Sequence, residues 1–219
     1  MYKSLKNGLA ALLLALASPC FADVITFDHL DPSVYGDGES VLVGDGFRLT
    51  TLGMGLVGDS ASCFVAVCPQ GNDSRYWSAL NDGGIWLDRV DSQGFQLLGF
   101  DAAFLAPMPV NAVGDVIARI ILDVFHGQNY ARYQFDLPAQ AENGGFYFGH
   151  IDLYGIDAVF ADISALRFFA CTFDSAGECS NPNENLGQFA LDDIRIPTGQ
   201  TVTLFGLGLL ALALLRRRA

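Results

Sequence analysis

Ala165-Leu166-Arg167-Phe168-Phe169-Ala170-Cys171-Thr172-Phe173 and Gln188-Phe189-Ala190-Leu191-Asp192-Asp193-Ile194-Arg195-Ile196 decide the fold. Both runs alternate with a period of two, the spacing at which an extended chain sends successive side chains to opposite faces. In the second run Phe189, Leu191 and, by parity, Asp193 share one face, whereas Ile194 and Ile196 fall on the other. A bulge near Asp192–Asp193 restores a single apolar side. Further strand-like runs, each bounded by Gly, Pro, Asn or Asp, lie at Val24–Phe27, Gly46–Leu52, Ile85–Val90, Phe95–Leu105, Val116–Phe125, Ala131–Phe135, Phe146–Phe148 and Ala158–Phe160. No segment between Asp23 and Thr198 carries ten residues of helical periodicity with caps. Many short strands joined by turn-rich connections predict an all-β body, a single antiparallel β-sandwich or jelly roll.

Charge excludes one class of function. Residues 23–198 hold seven Arg, no Lys and 20 Asp with 4 Glu, a net −17, while the whole chain stands at −12. A nucleic-acid ligand requires a basic surface, so none is expected. With 51% hydrophobic and only 16% charged residues the chain is also not disordered.

The two ends read as addresses. Lys3 and Lys6, the apolar stretch Leu9–Ala17 and the small-x-small site Cys20-Phe21-Ala22 form a secretory signal over residues 1–22, with signal peptidase as its partner. At the other end Thr201–Leu215 is uncharged and mostly apolar, and Arg216, Arg217 and Arg218 follow at once. Fifteen helical residues reach ~22 Å, short of a ~30 Å hydrocarbon core unless residues 197–200 contribute. The flanking Arg still predict a hydrophobic helix at 199–219 that enters the inner membrane with its Arg cluster in the cytoplasm.

This layout resembles the PEP-CTERM proteins, exported substrates of exosortases in Gram-negative bacteria that make exopolysaccharide. Gln188-Phe189-Ala190-Leu191-Asp192 also matches the QFxxD motif of one subgroup. Where that family has Pro-Glu-Pro this chain has Pro197-Thr198-Gly199, retaining Pro197 alone. Two fates of the tail therefore stay open, sorting by an exosortase and retention as a plain anchor. The resemblance implies an exported protein of the cell surface or biofilm matrix that interacts with exopolysaccharide. In pattern, Ile25-Thr26-Phe27-Asp28, Phe95–Asp101 and Leu191–Ile194 resemble carbohydrate-binding-module jelly rolls, which implies neighbouring first and last strands and a structural Ca²⁺ between them.

Four cysteines remain once Cys20 leaves with the signal, an even number that suits disulfides in an exported protein. Cys63–Cys68 and Cys171–Cys179 are the expected local pairs; the absence of C-x₂-C spacing and of a nearby His speaks against zinc. Asp28, Asp192 and Asp193 are candidate calcium ligands if the terminal strands meet, since Ca²⁺ takes six to eight hard oxygens; Asp also decorates turns. No catalytic residue is assigned. Gly58-Asp59-Ser60 and Asp123-Val124-Phe125-His126 have the elements of an esterase, yet neither stands in an α/β context. The remaining lead is a glycan platform at Arg75, Tyr76, Trp77 and Asn81, where aromatic rings and polar groups flank the loop Asn81-Asp82-Gly83-Gly84. The expected function is non-catalytic and envelope-associated. A secreted hydrolase acting on extracellular polymer and a purely structural surface protein are the alternatives.

Overall fold

The computed structural model describes residues 22–61, 66–107, 118–153, 155, 158–173, 178–180 and 186–197. The expected signal segment up to Phe21, the expected C-terminal helix with Arg216–Arg218, the residues around Thr198 and Cys63 lie outside the described residues. Among the described residues no helix is long and apolar enough to cross a membrane. Val24–Ile196 forms one compact unit.

The described elements are β1 (Ala22–Ile25), β2 (Ser33–Tyr35), β3 (Ser40–Val43), β4 (Phe47–Gly58), β5 (Ala66–Val67), β6 (Tyr76–Arg89), β7 (Gly99–Phe104), β8 (Ala106–Pro107), β9 (Ala118–His126), β10 (Asn129–Asp136), β11 (Gly149–Asp152), a 3₁₀ turn at Ala158–Phe160, β12 (Ala165–Phe173), β13 (Cys179–Ser180) and β14 (Phe189–Pro197). The fold is all-β and antiparallel. Twelve strands form one hydrogen-bonded array, and β5 pairs with β8 as a separate short ribbon.

That array folds over on two long strands. Residues 47–52 of β4 pair with 84–89 of β6, and residues 54–58 pair with 76–80, with a register shift between Leu52 and Met54. At this point Asn81 and Asp82 have φ of 55° and 58°, and Gly53 has φ of 88°. A Cβ on Gly53 would stand 3.3 Å from the Cα of Gly83, so the crossing needs glycine for both its dihedral and its clearance. The polar sequence Asn81-Asp82-Gly83-Gly84 is therefore a kink within a 14-residue strand, not a loop between strands.

Beyond the kink lies leaf one, in the order β10-β9-β12-β6-β4-β3; before it lies leaf two, β11-β7-β14-β6-β4-β2. Their inner faces meet in one core. Phe100 of β7 packs edge-on against Phe168 of β12 at 5.2 Å and Phe135 of β10 at 5.9 Å. Trp77 lies between Phe27 and Tyr35. The first and last strands, β1 and β14, are paired. The ladder between β14 and β7 shifts register between Asp192 and Arg195, and Asp193 has φ of 47°, which is the bulge that the alternation required.

Three expectations are corrected. Ala158–Phe160 is a 3₁₀ turn, and Phe146–Phe148 precedes a strand that starts at Gly149. Phe95 makes a single bridge to Ile163, leaving Gly99–Phe104 as the strand. In each case an aromatic side chain is buried (Phe95, Phe146, Phe160) while its backbone takes irregular partners. Burial of the ring governs the apolar pattern there, and the ladder does not.

Candidate functional site

The residues of the expected glycan platform are spent on the fold. Trp77 and Tyr76 are fully buried, so neither ring is offered to solvent. Trp77 points into the main core, where a Cβ on Gly55 would come within 2.5 Å of its ring. Tyr76 points to the other side of leaf two and joins Leu80, Ala103, Leu105 and Ala190 in a second apolar cluster, with its ring 5.4 Å from that of Phe148. Arg75 holds the segment after β1. Its backbone N–H donates to Asp28 Oδ1 at 2.9 Å, and its guanidinium donates to the carbonyls of Asp28 and Leu30. Asn81 is exposed at the kink.

The candidate calcium ligands are also placed. Asp192 is fully buried, and its Oδ2 accepts hydrogen bonds from Asn72 Nδ2 at 2.7 Å and Ser74 Oγ at 2.6 Å. Burial pushes its carboxyl up from the usual range, the bonds from Ser74, Asn72 and the Asp193 N–H pull it down, the charge of Asp193 adds to the rise, and the result is a raised pKa. Asp193 is raised as well, first by burial and then by the charges of Asp101 and Asp28, with Arg195 acting against them. These carboxylates sense one another, yet among the described residues no three His, Cys, Asp or Glu converge in metal-holding geometry. Of the expected disulfides, Cys171–Cys179 is formed, with its Cα atoms 5.5 Å apart and bridging β12 to β13. The partner expected for Cys68, Cys63, lies outside the described residues.

The esterase-like pieces are not assembled. Asp59 Oδ1 accepts from the N–H of Ala61 in a local turn, and His126 Nδ1 lies 3.1 Å from the carbonyl of Asp162. Asp123 is taken up by two arginines.

Those arginines belong to a different surface, the outward face of leaf one. Register places Thr50, Trp86, Arg167, Asp123 and Arg132 in one row across β4, β6, β12, β9 and β10. The row on one side contains Arg48, Asp88, Ala165, Phe125 and Tyr130, and the row on the other Leu52, Gly84, Phe169, Ile121 and Gln134. The inward positions, such as Ile120, Leu122, Val124, Leu166 and Phe168, fill the core. Hence the outward aromatics are not needed to line it.

Asp123 is fully buried between the two guanidinium groups. Arg132 donates from Nε to Oδ1 at 2.7 Å and from Nη2 to Oδ2 at 3.1 Å. Arg167 donates to Oδ2 from Nε at 3.0 Å and also from Nη2. Burial alone would raise the Asp123 carboxyl, but the hydrogen bonds and charges of Arg132 and Arg167 outweigh it and hold the pKa below the ordinary value. The guanidinium groups in turn lie over rings: Arg132 over Phe169 at 5.1 Å and Tyr130 at 5.9 Å, Arg167 over Phe169 at 5.5 Å and Phe125 at 5.8 Å. Trp86 packs on Phe125 at 4.8 Å, and Phe125 on Tyr130 at 5.4 Å. Trp86, Phe125 and Phe169 are half-buried and Tyr130 is 54% exposed. The face thus combines apolar rings open on one side with fixed hydrogen-bond donors.

Two signals in the sequence point to this face. Ala165–Phe173 carries Phe169 and Phe173 on the same parity as Arg167, and Arg119, Arg132 and Arg167 sit inside strand runs. A strand with one face on a core and the other in water has no need of Phe169 or Phe173 on its wet side.

No family model and no curated protein matches the chain. Among solved structures, it is similar to that of TmCBM61 in complex with β-1,4-galactotriose, at 12% identity and a TM-score of 0.30, over 78% of this chain and 92% of that one.

Proposed function

We propose that this is an exported, non-catalytic glycan-binding protein that meets polysaccharide with the outward face of leaf one. The observation that carries the reading is the surface built by Trp86, Phe125, Phe169 and Tyr130 around Arg132, Asp123 and Arg167. Pyranose rings have an apolar C–H face and a rim of hydroxyls. Partly exposed aromatics supply stacking area at low entropic cost, and guanidinium and amide groups supply donors. Export is supported by the N-terminal signal pattern and by the Cys171–Cys179 disulfide. The apolar stretch Thr201–Leu215 and its three Arg support retention in the inner membrane or sorting to the envelope or beyond, with an exosortase as partner in the second case.

Affinity electrophoresis against soluble polysaccharides tests the glycan reading. The full chain should be retarded by at least one polymer, and Trp86→Ala should weaken that retardation at least tenfold with little change in melting temperature. Free migration through every polymer, or full retention by Trp86→Ala, would overturn it. Envelope fractionation with intact-mass measurement tests the address: a mature chain starting near Asp23 is expected, and one retaining Met1 would refute export.

A further inference from the structure

We infer that the glycan taken by this face carries carboxylates, as uronic-acid residues do, and that Arg132 and Arg167 receive them. The inference rests on the glycan-binding reading and names its substrate class.

Four of the body's seven Arg, at 48, 119, 132 and 167, occupy this single face of a body whose net charge is −17. Arg48 is matched by Asp88, and Arg119 by Asp136. Among the described residues Arg132 and Arg167 share one carboxylate, that of Asp123, which leaves one positive charge unmatched at the centre of the surface.

The geometry determines what that charge can take. Both guanidinium groups spend their Nε–Nη2 edge on Asp123. Each keeps its Nη1 donors, and with them the end of the planar group, for something else. The two side chains are 41% and 35% exposed. The rings of Phe169, Phe125 and Tyr130 hold the planes in place, so little freedom is lost when a ligand docks. A planar, charged fork fixed in this way suits a carboxylate, which accepts two parallel hydrogen bonds. A neutral sugar hydroxyl would leave the surplus charge without a counter-ion. Asp123 therefore acts as a positioning residue, aiming two arginines outward.

The test uses the full chain and a panel of uronic-acid polysaccharides (polygalacturonate, alginate, hyaluronate, glucuronoxylan), each paired with its carboxyl-reduced, neutral form and run beside a sulfated galactan. At least one acidic polymer should bind at least tenfold more tightly than its reduced partner. That ratio should fall toward one in Arg132→Gln and in Arg167→Gln, and should shrink with added salt. Arg167→Lys, which keeps the charge but not the fork, should recover only part of it, and melting curves identify any variant that fails to fold. Equal binding of acidic and reduced forms, or a preference for the reduced ones, overturns the carboxylate inference and leaves the glycan reading standing. Binding of the sulfated polymer alone overturns it in favour of a sulfate ligand. Retention of no polymer at all overturns both.

Discussion

Asp123 and Asp192 are both fully buried, each on the outward side of its own leaf, and the protein treats them in opposite ways. Asp123 lies on leaf one between two guanidinium groups, and its carboxyl is held below the ordinary range. Asp192 lies on leaf two beneath Asn72 and Ser74, has only neutral donors, and is raised. The aromatics divide in the same way. On leaf two Tyr76 is sealed into a second cluster with Leu80 and Leu105, whereas on leaf one Trp86, Phe125 and Phe169 stay partly open. Both sheets put apolar side chains outward; one covers them with its own chain and the other surrounds them with arginine. A covered face is part of the fold, and a face held open at the expense of half-exposed rings is available to a ligand.

The widest gap between the faces should appear in stability. Tyr76→Ala empties a sealed site and should cost about 3–5 kcal/mol. Trp86→Ala, of similar bulk, removes a half-buried ring and should cost about 1 kcal/mol, its main effect falling on glycan retention. Urea unfolding midpoints of the two variants measure the difference. Equal losses would mean that the leaf-one aromatics are structural and the contrast between the faces is false.

The extent to which this was legible in the sequence follows from the same contrast. Period-two alternation in Ala165–Phe173 and the parity conflict at Asp192–Asp193 yielded two strands and a bulge, because each depends on one residue's neighbours along the chain. The Cys171–Cys179 pair was legible for that reason too. Tyr76 and Trp77 escape a local reading because polar residues and glycines at 81–84 signal a loop, whereas the positive φ of Asn81 and Asp82 kinks a continuous strand. The Arg132–Asp123–Arg167 row joins residues 9 and 44 positions apart, and only the register of three strands brings them level. No local pattern contains that register.

The leaf-one carboxylate gives the next prediction. Asp123→Ala leaves Arg132 and Arg167 facing each other without their shared partner. Solvent reaches both arginines and screens them, so the expected cost is about 1–2 kcal/mol at neutral pH. Because the folded pKa of Asp123 is depressed, its contribution is present in full above the unfolded value of about 3.9 and is lost as pH falls through the folded value. The stability difference between wild type and Asp123→Ala should therefore be flat from pH 7 to about 5 and close in stronger acid. A difference that stays constant into strong acid would show that the charge of Asp123 contributes nothing.

The leaf-two carboxylate should show the reverse sign. Its pKa is raised by burial, so the folded state is favoured when Asp192 is protonated and loses that advantage as pH climbs from the unfolded value of about 3.9 to the folded one. Asp192→Asn removes the buried charge while its amide oxygen still accepts from Asn72 and Ser74. At neutral pH the variant should melt higher than wild type, about 2–4 °C for each kcal/mol recovered, and the gain should vanish in acid. Repeating both melts with EGTA separates burial from metal binding. If calcium is held at Asp28, Asp192 and Asp193, EGTA lowers the wild-type melting temperature and Asp192→Asn is destabilised, because an ion bound only to the folded state stabilises it. If the carboxylate is simply buried among neutral donors, EGTA changes neither curve and the asparagine variant remains the more stable protein.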